Sequence, residues 1–243
     1  MINRAWIHHE DKYPATVSGF CALKGFQMRG IRTEPFYSDP IKVQPTDIVV
    51  GSRRHIHSAL EFLGVRPPLL ADYPDDLEKI VGFRELRNLR YMSLGIARSL
   101  PGPFFLKSVA KGQIPGFVWK GTKRHKSWLS TFPNNTPVWV MNVVQYLSEY
   151  RCFVSDGNIV GIRHTRGDET LSFDFSVVRA VMEEYIHCPA AYAIDFGVTR
   201  EGTTVVNVND AYAIDSCGLN PVDYSRFLLT RWEQLVEKLP TST

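Results

Sequence analysis

The segment that most constrains this chain is Tyr192–Asp210, two alternating runs around a short polar turn. Tyr192-Ala193-Ile194-Asp195-Phe196-Gly197-Val198-Thr199 and Thr203-Thr204-Val205-Val206-Asn207-Val208-Asn209-Asp210 flank Arg200-Glu201-Gly202. Side chains alternate along a strand, so Ile194, Phe196 and Val198 share one face while Ala193, Asp195 and Gly197 share the other. In the second run Val206 and Val208 are expected on the apolar face, Asn207 and Asn209 on the polar one. A three-residue hairpin loop with Gly at its left-handed position suits Arg200-Glu201-Gly202. It pairs Thr199 with Thr203 and, counting back, Asp195 with Asn207. Asp195, Asn207 and Asn209 then form a cluster of oxygen donors of the kind that suits magnesium, which completes its shell with water and phosphate oxygens. An exposed hairpin with a polar solvent face satisfies the same pattern.

The remainder reads as an α/β first part followed by an antiparallel α+β second part. With 243 residues, 44% of them hydrophobic, the chain can form one large domain or two small ones. Ala5–His8 and Thr33–Phe36 read as strands flanking a helix from about Ala15 to Arg29. Asp47–Val50 is a buried strand, and Ser52 caps a helix whose apolar face carries Ile56, Ala59, Leu60 and Leu63, ending at Gly64. Asp75 or Asp76 starts a longer helix with Leu77, Ile80 and Val81 on its stripe. Pro101-Gly102-Pro103 cannot continue a helix and divides residues 1–100 from 101–243. Beyond it Phe104–Lys107, Phe117–Lys120, Val138–Tyr146, Tyr150–Val154 and Ile159–Arg163 read as strands, with a hairpin turn at Ser155-Asp156-Gly157-Asn158. A helix from about Phe173 to His187 presents Phe175, Val178, Val181, Met182 and Tyr185. A closing helix behind Asn220-Pro221 presents Phe227, Leu228, Trp232, Leu235 and Val236.

Composition removes several classes of function. A net charge of +3 is compatible with a phosphate-bearing ligand but is too small for a nucleic-acid footprint. The basic stretch Lys120–Trp128 reads as a nucleic-acid patch in miniature, a loop covering a nucleotide, or a solvated face. Four scattered cysteines argue against a disulfide framework or a zinc site and for a reducing compartment. No apolar run approaches a membrane span and the first residues lack a signal pattern, so the expected location is the cytoplasm. No phosphate-loop or dinucleotide-binding glycine motif occurs. His8, His9, His55 and His57 are read as structural or surface residues.

These residues resemble the ATP-grasp superfamily, and within it the small clade named for one arginine and two lysines. The hairpin is similar to that family's metal-binding hairpin, Phe104-Phe105-Leu106-Lys107 to its lysine-bearing strand, and Val144–Val154 to its nucleotide hinge. Val49-Val50-Gly51-Ser52 with the following helix is similar to the clade's N-terminal unit. The resemblance implies an N-terminal α/β unit followed by antiparallel-sheet subdomains that enclose a nucleotide cleft. It further implies that Gln145, Tyr146 and Leu147 hold adenine, Glu149 the ribose, and Lys107, Lys120 and Arg151 the phosphates. Lys107 and Arg151 are the implied catalytic residues; Asp195, Asn207 and Asn209 would hold Mg2+, and Arg163 would face the substrate. Lys111 competes with Lys120 as the second lysine. The implied activity is an ATP-dependent carboxylate–amine ligase acting through an acylphosphate, on a small-molecule or peptide substrate. A nucleotide-binding sensor without turnover and a nucleic-acid-binding module are the alternatives. The family has Glu where this chain has Asn207, which removes one negative charge from the metal site.

Overall fold

In the computed structural model, which describes residues 2–38, 42–68, 74, 76–77, 88–110 and 113–237, the strands fall into three four-stranded sheets. In the first, β1 (Arg4–Glu10) runs parallel to β3 (Arg32–Phe36) and β4 (Asp47–Val50), one on each side, while β2 (Tyr13–Pro14) folds back antiparallel on the end of β1. Helix α1 (Val17–Met28) starts at Thr16, whose Oγ1 accepts from the Gly19 N–H at 2.9 Å. Helix α2 (Arg53–Phe62) starts at Ser52 as expected, and His55 closes a capping box with it. His55 is therefore structural, and its ring also packs on His8 and Phe36.

The second sheet has the order β5-β8-β6-β7 and is antiparallel: β5 (Arg90–Ser93), β6 (Phe104–Ser108), β7 (Phe117–Trp119) and β8 (Pro137–Met141). Leu106, Val138 and Val140 pack with Leu94 and Ala97 of α3 (Leu94–Ser99) and Leu129 of α4 (Lys123–Leu129). Pro101-Gly102-Pro103 lies inside this unit, between α3 and β6. Two expectations change here. The strand expected over Val138–Tyr146 ends at Met141. The basic stretch is not a loop: Thr122 caps α4, and His125 and Trp128 meet Phe117 edge to face. Of the helix expected from Asp75 or Asp76, residues 78–87 lie outside the described residues.

The third sheet, order β10-β9-β11-β12, is antiparallel: β9 (Ser148–Ser155), β10 (Asn158–Gly167), β11 (Ala191–Val198) and β12 (Thr203–Asp210). One face carries Cys152, Val154, Ile194, Phe196, Val205 and Val208 and is covered by α5 (Phe175–Glu184) through Val178 and Val181. Phe175, expected on that apolar face, is exposed at the first position of α5, with Arg179 over its ring. The closing helix α6 (Pro221–Val236) returns to the first sheet and lies on α1. The approach is close: a β-carbon at Gly25 would fall 1.9 Å from the Pro221 carbonyl oxygen, so only glycine fits. Phe227 of α6 meets Phe153 edge to face at 5.3 Å, joining one end of the third sheet to the N-terminal core. Among the described residues no helix is long and apolar enough to cross a membrane.

Candidate functional site

Asp195 does lie opposite Asn207, but by a different route from turn counting. Near the turn the pairs are Val198 with Thr203 and Phe196 with Val205, one position off the expected register. β11 ends at Val198 and β12 starts at Thr203, so the loop is four residues long, and within it the Thr199 N–H donates to the Gly202 carbonyl at 2.8 Å. A β-bulge at Val206 then restores Asp195–Asn207. The extra residue turns Val206 off the apolar face, and Val205 with Val208 fills the core instead.

Directly opposed residues on adjacent antiparallel strands share a face. The registers therefore lay three rows across the third sheet: Arg166–Glu149–Gly197–Thr204, then Arg163–Arg151–Asp195–Asn207, then Gly161–Phe153–Ala193–Asn209. The third row closes under the N-terminal core through Phe153 and Ala193; the middle row is the candidate site. Arg151 grips Asp195 in bidentate fashion, Nε donating to Oδ1 at 2.7 Å and Nη2 to Oδ2 at 2.9 Å. Asn209 Nδ2 donates to Asp195 Oδ2 at 3.1 Å and to Asn207 Oδ1 at 3.0 Å. Burial works against the charge on Arg151, but its hydrogen bonds to Asp195 and that carboxylate's charge outweigh it, and its pKa lies above the ordinary value. Arg151 Nη1 also contacts the Cys217 sulfur at 3.5 Å. Burial raises the Cys217 thiol pKa against the opposing pull of the Arg151 charge.

The remaining predicted residues divide between this face and the second sheet. Arg163 Nε donates to the Gly218 carbonyl at 3.1 Å, at the rim of the row. Glu149 lies on the site face, 3.6 Å from Arg166 Nη1. Tyr146 lies close against Gly197, where a β-carbon would come within 2.1 Å of its ring. Leu147 has its backbone engaged within the protein: its N–H donates to the Val198 carbonyl at 2.8 Å and its carbonyl accepts from the Asp168 N–H at 3.0 Å. Gln145 is exposed. Lys107 is buried in β6, on the side shared with Phe105 and Trp139, which pack against the apolar cluster of Ile194 and Phe196. Lys120 is exposed just after β7. Lys111 lies outside the described residues.

Asp210, next to Asn209, takes a separate role. It is buried and held by Arg231 of α6 through two bonds of 2.7 Å, which excludes it as a replacement metal ligand for the missing Glu. Arg231 falls four residues after Phe227 and one before Trp232, inside the buried stripe, so its spacing alone marked it as buried. Asp215 and Cys217 were not legible, because they sit in an aperiodic loop beside the site. Among the described residues no cluster of three His, Cys, Asp or Glu is present that could hold a metal. The available donors are one carboxylate and two amides.

The ATP-grasp domain of the clade named for one arginine and two lysines, family 2 of that clade, matches residues 84–227 of the sequence. No curated protein sequence matches the chain. Among solved structures, a RimK domain ATP-grasp protein from Sphaerobacter thermophilus superposes with a TM-score of 0.62 at 17% identity, over 93% of this chain and 99% of that one. D-alanine–D-alanine ligase from Bacillus anthracis gives 0.59 at 11% identity, over 97% and 98%. D-cycloserine synthetase DcsG gives 0.56 at 12%, over 94% and 99%. These likenesses establish the shared fold, and with the sequence match over more than half its length the chain belongs to the ATP-grasp superfamily, in family 2 of the one-arginine, two-lysine clade.

Proposed function

We propose that this chain is an ATP-dependent carboxylate–amine ligase acting through an acylphosphate, with ATP seated on the face of β9 and β11. The observation that carries this reading is the row Arg163–Arg151–Asp195–Asn207, which sets two guanidinium groups and one carboxylate side by side. Planar forks of this kind bind phosphate oxygens through paired hydrogen bonds. The names of the structural relatives, one a ligase and one a synthetase, point the same way.

A carboxylate oxygen of the donor attacks the γ-phosphorus of ATP, the bond to the bridging oxygen breaks, and ADP leaves. The amine nitrogen then attacks the acyl carbon, the carbon–oxygen bond to phosphate breaks, and the amine gives up a proton. Phosphorylation converts a poor leaving group into a good one, and the protein's task is to hold charge in place. Arg151 rests on Asp195 in this structure and would exchange that carboxylate for phosphate oxygens. Lys107 and Lys120 would approach the phosphates from the second sheet. Glu149 would accept from the ribose, and the backbone of Gln145 and Tyr146 would meet the adenine edge, since Leu147 is already committed to holding the segment against β11.

The donor set suits a hard cation. Asn209 already lies within hydrogen-bonding distance of both Asp195 and Asn207, and turning its amide presents three oxygens together. They would hold Mg2+, which neutralises charge on phosphate oxygens. Its binding should be weaker than at a site with two carboxylates, because Asn207 is neutral and Arg151 offsets Asp195. That observation favours a second reading, a nucleotide-binding sensor without turnover. Measuring ADP release with pooled carboxylates, amino acids and peptides separates the two. ATP binding with no ADP from any pool removes the ligase reading.

A further inference from the structure

A cleft of about 320 Å³ opens at the carboxyl ends of β1 and β4, between the starts of α1 and α2 and the segment 212–215 that follows β12. It is separate from the nucleotide row but adjoins it through the loop that also carries Cys217. Ligands of open α/β sheets commonly sit at such strand ends, and this volume lies at the small end of the usual range of about 300–1,000 Å³.

Its charges are divided. At one side Asp215 accepts from Ser18 Oγ at 3.2 Å, and its charge is felt at Arg151. At the other side Arg53 stands at the first position of α2, and its charge is felt at His57 and Tyr212. The start of α2 adds its positive end to that of Arg53. Glu10 lines the same cleft and adds a second negative charge. Asp215 is thus the charge of this cleft that acts on Arg151, whereas Arg53 acts on His57 and Tyr212. We infer that this cleft seats the amine substrate as a free amino acid, its ammonium at Asp215 and its carboxylate at Arg53. The inference rests on the ligase reading and deepens it: an amine held at Asp215 stands where it can meet an acylphosphate at Arg151. Glu10 selects against acidic side chains.

The test is saturation-transfer NMR of the protein with each of the twenty common amino acids, without nucleotide, alongside their N-acetyl and C-amide forms. At least one non-acidic amino acid is expected to bind, with each blocking group weakening it tenfold or more. Asp215→Asn should reproduce the loss from N-acetylation and Arg53→Gln the loss from C-amidation; both residues are exposed, so the fold should survive. Binding by none of the twenty, or binding untouched by both variants, overturns the inference. Amino-acid binding without ADP formation from any donor removes the ligase reading and leaves the cleft standing. ADP formation with a KM for the amine unchanged in both variants does the reverse.

Discussion

Two aspartates on the same hairpin each meet an arginine in the same bidentate way, yet they sit in different surroundings. Asp210–Arg231 ties the end of β12 to α6, with side-chain exposures of 6% and 7%. Arg231 also donates to Gln234 Oε1 at 2.6 Å, and Asp210 accepts from the Tyr212 N–H at 3.4 Å. Asp195–Arg151 has exposures of 13% and 17% and is bordered by two neutral amides and a second arginine. The first pair is closed by packing on every side, so it fixes geometry. The second is more exposed, and under the proposed function its partners would be exchanged for those of a ligand. The difference lies in the cover above the pair, since the bonds themselves are equivalent.

The comparison breaks most visibly at Arg231. Arg231→Ala leaves a buried carboxylate unpaired and should cost about 3–5 kcal/mol, read by chemical denaturation. The double change Arg231→Met with Asp210→Leu should recover much of that loss, because well-packed apolar groups can replace a buried pair. Failure of the single change to lower stability by even about 1 kcal/mol would show that this pair is not a staple.

Arg151→Ala should behave in the opposite sense. Its stability cost should stay at about 1 kcal/mol, because Asp195 keeps Asn209 and access to water. ADP formation should fall about 10²–10³-fold, the usual loss when a donor to a charged transition state is removed. Arg151→Lys should restore charge but little rate, since the fork is lost. Equal losses of stability in the two arginine variants would erase the distinction between the pairs.

Asn207→Glu sharpens the open pair by restoring a second negative charge. Affinity for Mg2+–ATP should rise about tenfold, or about 1.4 kcal/mol, in calorimetric titration. Tighter binding without any turnover would favour the sensor reading. The smallest effect is expected at Cys217. Cys217→Ser should change ATP affinity by no more than about 0.5 kcal/mol, because a weak sulfur contact supplements a charge pair that stays intact.

Much of the architecture was legible because periodicity reports burial directly. The Ser52 cap, the alternation around Asp195 and the Asn220-Pro221 helix start each obey a local rule and occur in the structure. The Asp195–Asn207 pairing was read correctly through an incorrect turn, since a four-residue loop and a bulge at Val206 are offsets that cancel. Alternation cannot reveal such cancelling irregularities. The strand expected to run through the hinge stopped at Met141, because residues 142–147 join no strand ladder among the described residues even though their types permit one.

By itself the sequence determined which faces are apolar, where helices begin, and that an oxygen-rich cluster sits on one face of a hairpin. Those follow from forces acting within a few residues of one another. Only the tertiary structure decided which charges meet. Arg151 reaches Asp195 across 44 residues and Arg231 reaches Asp210 from a separate helix. Only it, too, decided that the Asp210 pair would be sealed under α6 while the Asp195 pair stays more exposed. Pairing between charges depends on strand order and on what is packed above them, and neither quantity is encoded in local spacing.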